Sequence, residues 1–324
     1  MSSFGFETTG DEIAAICSNT IRGKVVLITG PSPGSLGAAF ATTIAPHGPA
    51  LIILASRDNA KLVSVAESIK AIAPTVATRI LKLDLASQKK IREAAAEVNS
   101  YHDVSHIDVL INSSGIMAVP YSQTTDGIEL HFGVNHIGHF LFTNLIIKKL
   151  FSTDGNQTSR VVNVSSNGHE LSRVRFEDWN FEHGPYNRWY AYGQSKSANM
   201  LFSVSLAARF ADKGLISVSL HPGVIHTNLS SHLEYTAWPE LAEIGRNLAL
   251  PRFGGFNAKS QQQGVATYVF AAFHESVSMQ TNGRYLEDSQ VSALEDYKCW
   301  GRDPTDAERL WKLSETLVKQ EFEY

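Results

Sequence analysis

The sequence predicts an α/β fold in one domain: a parallel sheet doubly wound with helices on both faces. Three observations predict it. Short apolar runs alternate with longer helical patterns, which requires crossover connections and therefore parallel strands. The runs are apolar throughout, as in Val25-Val26-Leu27-Ile28 and Leu51-Ile52-Ile53-Leu54, the pattern of strands covered on both faces. No Pro/Gly/Ser-rich linker or repeat divides the 324 residues, and a hydrophobic share of 43% is ample for one large core.

In chain order the strands are expected at Lys24–Thr29, Ala50–Ser56, Thr78–Leu83, Ile107–Asn112, Arg160–Ser165, Leu215–Leu220 and Gly283–Leu286. Helical periodicity places helices at Ser35–Ala45, Asp58–Ala71, Ser87–Ser100, Thr125–Leu150, Tyr190–Ala211 and Gln261–His274. A last helix, Asp306–Lys319, opens just after Pro304. Residues 22–225 form the core of the domain, 226–262 a substrate lid, and 263–324 the closing strand and helices. Asn167–Trp189 and Asn228–Ser260 have weak periodicity and follow strand ends, where crevices open in α/β sheets, so they are expected to wall a ligand.

The net charge of −4 leaves no basic footprint, which argues against nucleic acid and favours a small-molecule ligand. Only Cys17 and Cys299 occur, with no zinc-type grouping, which fits a reducing compartment. The polar, acidic start and the lack of a long apolar run predict a cytoplasmic chain without a membrane anchor. His131, His136 and His139 invite a metal reading, but His136 and His139 are only three apart and lack a matching carboxylate or thiolate nearby, so helix packing is expected rather than metal.

Gly30, Gly34 and Gly37 lie between the first strand and first helix, where missing side chains let backbone amides approach a pyrophosphate. Ser32, Ser35 and Leu36 belong to the same loop, and the two hydroxyls can contact phosphate. Further along stand Asn112-Ser113-Ser114-Gly115, Asn135, Ser165-Ser166, and Tyr192-Gly193-Gln194-Ser195-Lys196. A tyrosine four residues before a lysine puts phenol and ammonium on one helix face. In this order, the motifs resemble the short-chain dehydrogenase/reductase family, whose fold is of the Rossmann type. Longer segments, His131–Phe140, Tyr192–Phe202 and Ala307–Leu313, resemble its retinol-dehydrogenase-like and WW-domain-oxidoreductase-like members.

The resemblance implies a hydride-transferring oxidoreductase. Tyr192 is then the general acid/base, Lys196 lowers its pKa and grips the nicotinamide ribose, Ser166 aims the carbonyl, and Asn135 holds a water leading from Lys196 to solvent. It implies that Asp84 and Leu85 contact adenine, that Asn112 and Gly115 stand in the family's Asn-Asn-Ala-Gly motif, and that Pro222, Gly223, Val224 and Thr227 meet the nicotinamide. The glycine loop departs from the family pattern, its third glycine coming one residue late and Pro31 and Pro33 stiffening it. At the second strand's end, Ser56 followed by Arg57 suits a 2′-phosphate and hence NADP(H); the alternative is that Arg57 starts a helix while Asp58 reads the ribose.

Aromatics at Trp179, Phe181, Tyr186, Trp189, Tyr235, Trp238, Phe253 and Phe256 suit an apolar or aromatic ketone, aldehyde or alcohol if they line the crevice, and lid packing if they do not. Two other classes keep the fold: a non-redox epimerase, dehydratase or cyclisation catalyst, and a nucleotide-sensing protein with an idle site. The intact Tyr192 and Lys196 favour redox chemistry and leave the non-redox class open, while an idle site would show an eroded tetrad, and Asn135, Ser166, Tyr192 and Lys196 are all in place. The family commonly pairs through its two long helices, here Thr125–Leu150 and Tyr190–Ala211, so a homodimer is one expectation and a lidded monomer the other.

Overall fold

The computed structural model describes residues 4–151, 158–225, 227–233 and 237–324. Its strands are β1 (Val25–Thr29), β2 (Leu51–Ser56), β3 (Ala77–Lys82), β4 (Val109–Asn112), β5 (Ser159–Val164), β6 (Leu215–His221), β7 (Val224–Ile225), β8 (Ala258–Lys259), β9 (Tyr285–Glu287) and β10 (Gln290–Val291). Eight of them form one sheet in the order β10-β9-β6-β5-β4-β1-β2-β3, parallel except for the β9–β10 hairpin. The strand order reverses between β1 and β4, and a ligand crevice opens there beyond the carboxyl ends of the strands.

Both faces are buried, as the continuous apolar runs require. Val26 and Ile28 of β1 enter the core on one side of the sheet and Leu27 the core on the other, all three with no exposed surface. Burying such a side chain contributes roughly 1.5–3 kcal/mol. The first face carries α1 (Gly10–Ile16), α2 (Ser18–Ile21), α3 (Leu36–Ile44), α4 (Asn59–Ile72) and α9 (Gln261–Phe273). The second carries α5 (Gln88–Asn99), α6 (Gly138–Ile146), α7 (Arg188–Phe210) and α10 (Pro304–Val318). The remaining helix, α8 (Ala237–Asn247), belongs to the lid.

All seven expected strands are present. The Thr125–Leu150 helix needs correction: Asp126-Gly127 turns instead, with Gly127 at φ +79°, and the helical stretch begins near Leu130. Phe132–Ile137 is then wound as a π-helix, Gly138 N–H reaching back to the Gly133 carbonyl, before α6 takes over. The extra residue in a π-turn displaces the backbone ladder, and such turns occur mostly at functional sites. Periodicity also passed over α1, although Thr9 and Glu12 make a reciprocal capping box at its start.

The outer faces of α6 and α7 are covered. Trp311 of α10 lies edge-on to Phe140 at 5.0 Å, and the Ser205 hydroxyl donates to the Ala307 carbonyl at 2.9 Å. Beyond α10, the Phe322 ring packs on Phe140 and Tyr324 on Phe210. These are the two helices that the family resemblance assigned to dimer pairing, and this chain's own C-terminal segment already fills the groove between them. Among the described residues no helix is long and apolar enough to cross a membrane.

Candidate active site

A crevice of about 690 Å³ runs from the β2–α4 junction, past the glycine loop, to the lid. Gly30 sits at the end of β1 at φ +76°, and a Cβ there would come 2.8 Å from the Ser114 backbone. Glycine is therefore required. Ser35 caps α3, its hydroxyl accepting from the Ala38 N–H at 3.2 Å, so the helix presents its free amides to the crevice. A Cβ on Gly37 would approach Pro31 to 3.2 Å, which keeps loop and helix in close contact.

Most of the sequence-predicted cofactor residues line this crevice: Gly30, Ser32, Ser35, Leu36, Gly37, Ser56, Arg57, Asp84, Leu85, Gly115, Pro222, Gly223, Val224 and Thr227. Two do not. Gly34 is not in the lining; beside it the Pro33 carbonyl accepts from Asn228 Nδ2 and the Gly34 carbonyl from Gln261 Nε2, both at 2.9 Å. The longer, proline-stiffened loop accounts for that displacement. Asn112 is buried in the sheet, where Nδ2 donates to Asn163 Oδ1 at 2.8 Å and to Thr143 Oγ1 at 3.1 Å. It fastens β4 to β5 and α6.

At the β2 end, Asp58 accepts from the Ala60 and Lys61 amides at 3.1 and 3.3 Å, which makes it the N-cap of α4. Arg57 and Lys61 both line the crevice beside it. Lys61 is one residue that sequence reasoning missed; its place one turn after Arg57 on a capped helix was the available signal.

Ser166, Tyr192 and Lys196 converge at the centre of the crevice. Ser166 follows β5 and caps the 3-10 turn Asn167–Leu171, its hydroxyl accepting from the Gly168 N–H at 3.0 Å. Lys196 lies one helical turn beyond Tyr192, its Nζ donating to the Val164 carbonyl at 2.9 Å and standing 5.6 Å from the Tyr192 ring centre. Burial pushes Tyr192 up to about 12, with the Ser166 hydrogen bond offsetting part of the rise, and burial brings Lys196 down to about 7.

Asn135 stands just behind the crevice. Its side chain brackets Ile116, accepting from the amide at 2.9 Å and donating to the carbonyl at 3.0 Å, and also donates to Ser195 Oγ at 2.9 Å. Its backbone carbonyl accepts from His139 Nδ1 at 3.0 Å. His139 Nε2 accepts in turn from the Thr29 hydroxyl at 2.9 Å, and that oxygen receives the Ser113 and Ser114 amides. The three histidines each have packing roles: His136 pairs with Ser314 Oγ, while His131 Nδ1 donates to Glu129 at 2.7 Å.

The wall on the lid side of the crevice is apolar. Trp189, Leu171, Leu241, Trp238, Phe253 and Phe256 line it, with Trp189, Trp238 and Phe256 in one chain of ring contacts at 6.1 Å each. Trp179, Phe181 and Tyr186 pack elsewhere, Tyr186 through its hydroxyl on Glu129. Tyr235 lies outside the described residues. The lid is held down by Arg188, which grips Glu240 of α8 through Nε and Nη2 at 3.0 and 2.6 Å, and by Arg252 on Glu170 at 3.2 Å.

The family model "short chain dehydrogenase" matches residues 24–237, which include most of the sheet and Ser166, Tyr192 and Lys196. The chain belongs to the short-chain dehydrogenase family. Human retinol dehydrogenase 11 is 36% identical over 94% of this chain and 89% of its own length. Mouse retinol dehydrogenase 12 is 36% identical over 95% and 91%. Among solved structures, an uncharacterised protein from Mycobacterium paratuberculosis has a TM-score of 0.71 at 32% identity, covering 94% of this chain and 97% of its own. NADPH-bound carbonyl reductase from chicken fatty liver shares the fold at TM-score 0.61 and 19% identity, over 84% and 99%. The chain is thus a short-chain dehydrogenase/reductase, an oxidoreductase of a family that uses a nicotinamide cofactor and small-molecule substrates.

Proposed function

We propose that this chain is an NADP(H)-dependent oxidoreductase that interconverts a ketone or aldehyde and an alcohol on a small apolar or aromatic substrate. The observation that carries the reading is the convergence of Ser166, Tyr192 and Lys196 in the crevice that also holds the glycine loop and Arg57. When bound, the dinucleotide supplies or accepts the hydride. The glycine cradle, where a Cβ would collide at Gly30 and press on Pro31 at Gly37, fits its pyrophosphate.

The chain's own residues handle the proton and the geometry. Tyr192 is protonated at neutral pH, as any phenol is, and burial raises its pKa further, so it holds the proton that a carbonyl oxygen needs as it is reduced. Ser166 gives that oxygen a second hydrogen bond and fixes its direction, and Lys196 places a proton-exchanging ammonium next to the phenol. In oxidation Tyr192 takes the alcohol proton instead.

Selection of NADP(H) is supported by Arg57 and Lys61, two cations at the adenosine end, while Asp58 is committed to capping α4. The aromatic lid supports an apolar substrate. The relatives' name makes retinaldehyde one member of a suitable panel of aldehydes and ketones. Mixing protein, NADPH and that panel should consume NADPH, and Tyr192→Phe should abolish the consumption. Turnover that survives Tyr192→Phe would reject the assigned acid; product without loss of NADPH would favour non-redox chemistry on the same fold.

A further inference from the structure

Ser166 gets its direction from a turn of five residues, and that turn is held by a histidine outside the catalytic group. His169 has no exposed surface. Its Nδ1 donates to the Ser166 carbonyl at 2.8 Å, and the His169 backbone N–H reaches the same oxygen at 3.0 Å. The other ring nitrogen, Nε2, accepts from the backbone N–H of Lys298 at 3.4 Å. This donor comes from the segment between β10 and α10, more than a hundred residues away.

The His169 carbonyl is tied as well, accepting from Trp300 Nε1 and from the Ser197 hydroxyl on α7, each at 3.1 Å. The ring edge packs on Tyr285 of β9 at 5.3 Å. With Nδ1 carrying the proton and Nε2 accepting, the imidazole is neutral, in agreement with burial bringing its pKa down to about 4.

The turn that His169 secures also touches the acid. A Cβ on Gly168 would lie 2.6 Å from Tyr192 Cε1 and 3.3 Å from Ser166 Oγ, so turn and ring are in direct contact. Gly193 closes the same seam, because a Cβ there would lie 2.8 Å from the Gly168 carbonyl. A small displacement of the turn therefore changes the distance between the serine hydroxyl and the phenol.

We propose that His169 is a positioning residue for the redox step, bridging the Ser166 carbonyl to the Lys298 amide so that the C-terminal segment sets where the serine stands against Tyr192. The proposal rests on the reading of Ser166 and Tyr192 as the reacting pair. It assigns His169 no contact with substrate.

The test separates the two ring nitrogens. An asparagine amide reaches where Nδ1 stands, so His169→Asn retains the bond to Ser166, whereas His169→Phe keeps the bulk and loses both bonds. His169→Phe should lower kcat by ~10- to 100-fold, as a misplaced catalytic group does, leave the Kd for NADPH within about twofold, and be rescued only in part by His169→Asn, which keeps the Ser166 bond but, like Lys298→Pro, lacks the bond to the Lys298 amide. Lys298 offers a second route that leaves the buried ring untouched. Its φ of −64° accepts proline, and Tyr297 before it is extended at ψ 159°.

Lys298→Pro thus deletes only the amide proton and the ammonium, and Lys298→Ala controls for the ammonium. A several-fold lower kcat in Lys298→Pro but not in Lys298→Ala supports the bridge, and this pair decides if His169→Phe does not fold. Wild-type kcat in both His169→Phe and Lys298→Pro, with only Tm lowered, overturns the proposal. Tyr192→Phe run in parallel separates the two readings: if it retains activity, the reacting pair itself is misassigned; if it is dead while His169→Phe is fully active, only the positioning role fails.

Discussion

Replacing Gly168 by alanine tests the site where its tolerance is smallest. The added methyl would stand 2.6 and 3.0 Å from two carbons of the Tyr192 ring. Carbon atoms settle at about 3.5–4.0 Å, so the ring or the turn must withdraw by about 1 Å. Neither has free space: Tyr192 is 5% exposed, and the turn is held against α7 at the Gly168–Gly193 seam. Overpacking of this kind costs about 1–3 kcal/mol of stability. A 1 Å misplacement of a catalytic group costs on the order of 10²-fold in rate. We therefore expect Gly168→Ala to fold, to show a lower Tm, to bind NADPH normally and to lose kcat about a hundredfold in the NADPH-consumption assay. Gly5→Ala, which has open space around it, is the control. A Gly168→Ala enzyme with wild-type kcat would refute the placement of the phenol as the reacting group.

Further outcomes follow from the charges and the packing. His136, His139, His169 and His221 are held by burial at about 3, 4, 4 and 3, below the ordinary 6.5. Between those values and pH 6.5 the unfolded chain binds protons that the folded chain refuses, so stability falls as pH drops through that window. At pH 5 the loss is on the order of 2 kcal/mol for each imidazole; urea midpoints that match at pH 7 and pH 5 would contradict this. Arg57→Ala, and to a smaller degree Lys61→Ala, should weaken NADP(H) binding while sparing NAD(H), with equal losses by titration counting against the phosphate reading. Trp311→Ala should cost about 3–5 kcal/mol in denaturant titrations, since the ring is 3% exposed and packs on Phe140 and Phe202. With α10 covering α6 and α7, light scattering should report a monomer, and a wild-type dimer would show that another face pairs.

The sheet was legible because its signal is local. Residues such as Leu51–Leu54, a short apolar run that alternates with helical patterns, read as a strand covered on both faces, and the position of Thr29–Gly37 after such a run is what suggests a phosphate cradle. What escaped is what periodicity does not encode. The π-turn at Phe132–Ile137 inserts an extra residue into an otherwise ordinary helical pattern, and Gly127 breaks the register before it. Asn112 carries a family motif yet turns into the sheet, because Asn163 and Thr143 offer its amide buried partners there. The short α8 was hidden in a segment of weak periodicity, and its attachment through Arg188 and Glu240 joins residues 52 apart. His169 was passed over for the same reason: its partner Lys298 lies 129 positions away.

The pair of bonds that straps the glycine loop to the lid bears on how the two compartments communicate. Asn228 and Gln261 hold the Pro33 and Gly34 carbonyls, and the chain between them runs through the aromatic wall. We expect departure of a dinucleotide from the glycine loop to loosen those two bonds, and a molecule seated under Trp238 and Phe256 to steady the segment that makes them. Occupancy of the lid pocket is therefore expected to delay exit of a cofactor from the glycine loop. Stopped-flow washout of NADPH should slow when an unreactive alcohol fills the lid pocket, and an unchanged rate would show the two compartments to be independent.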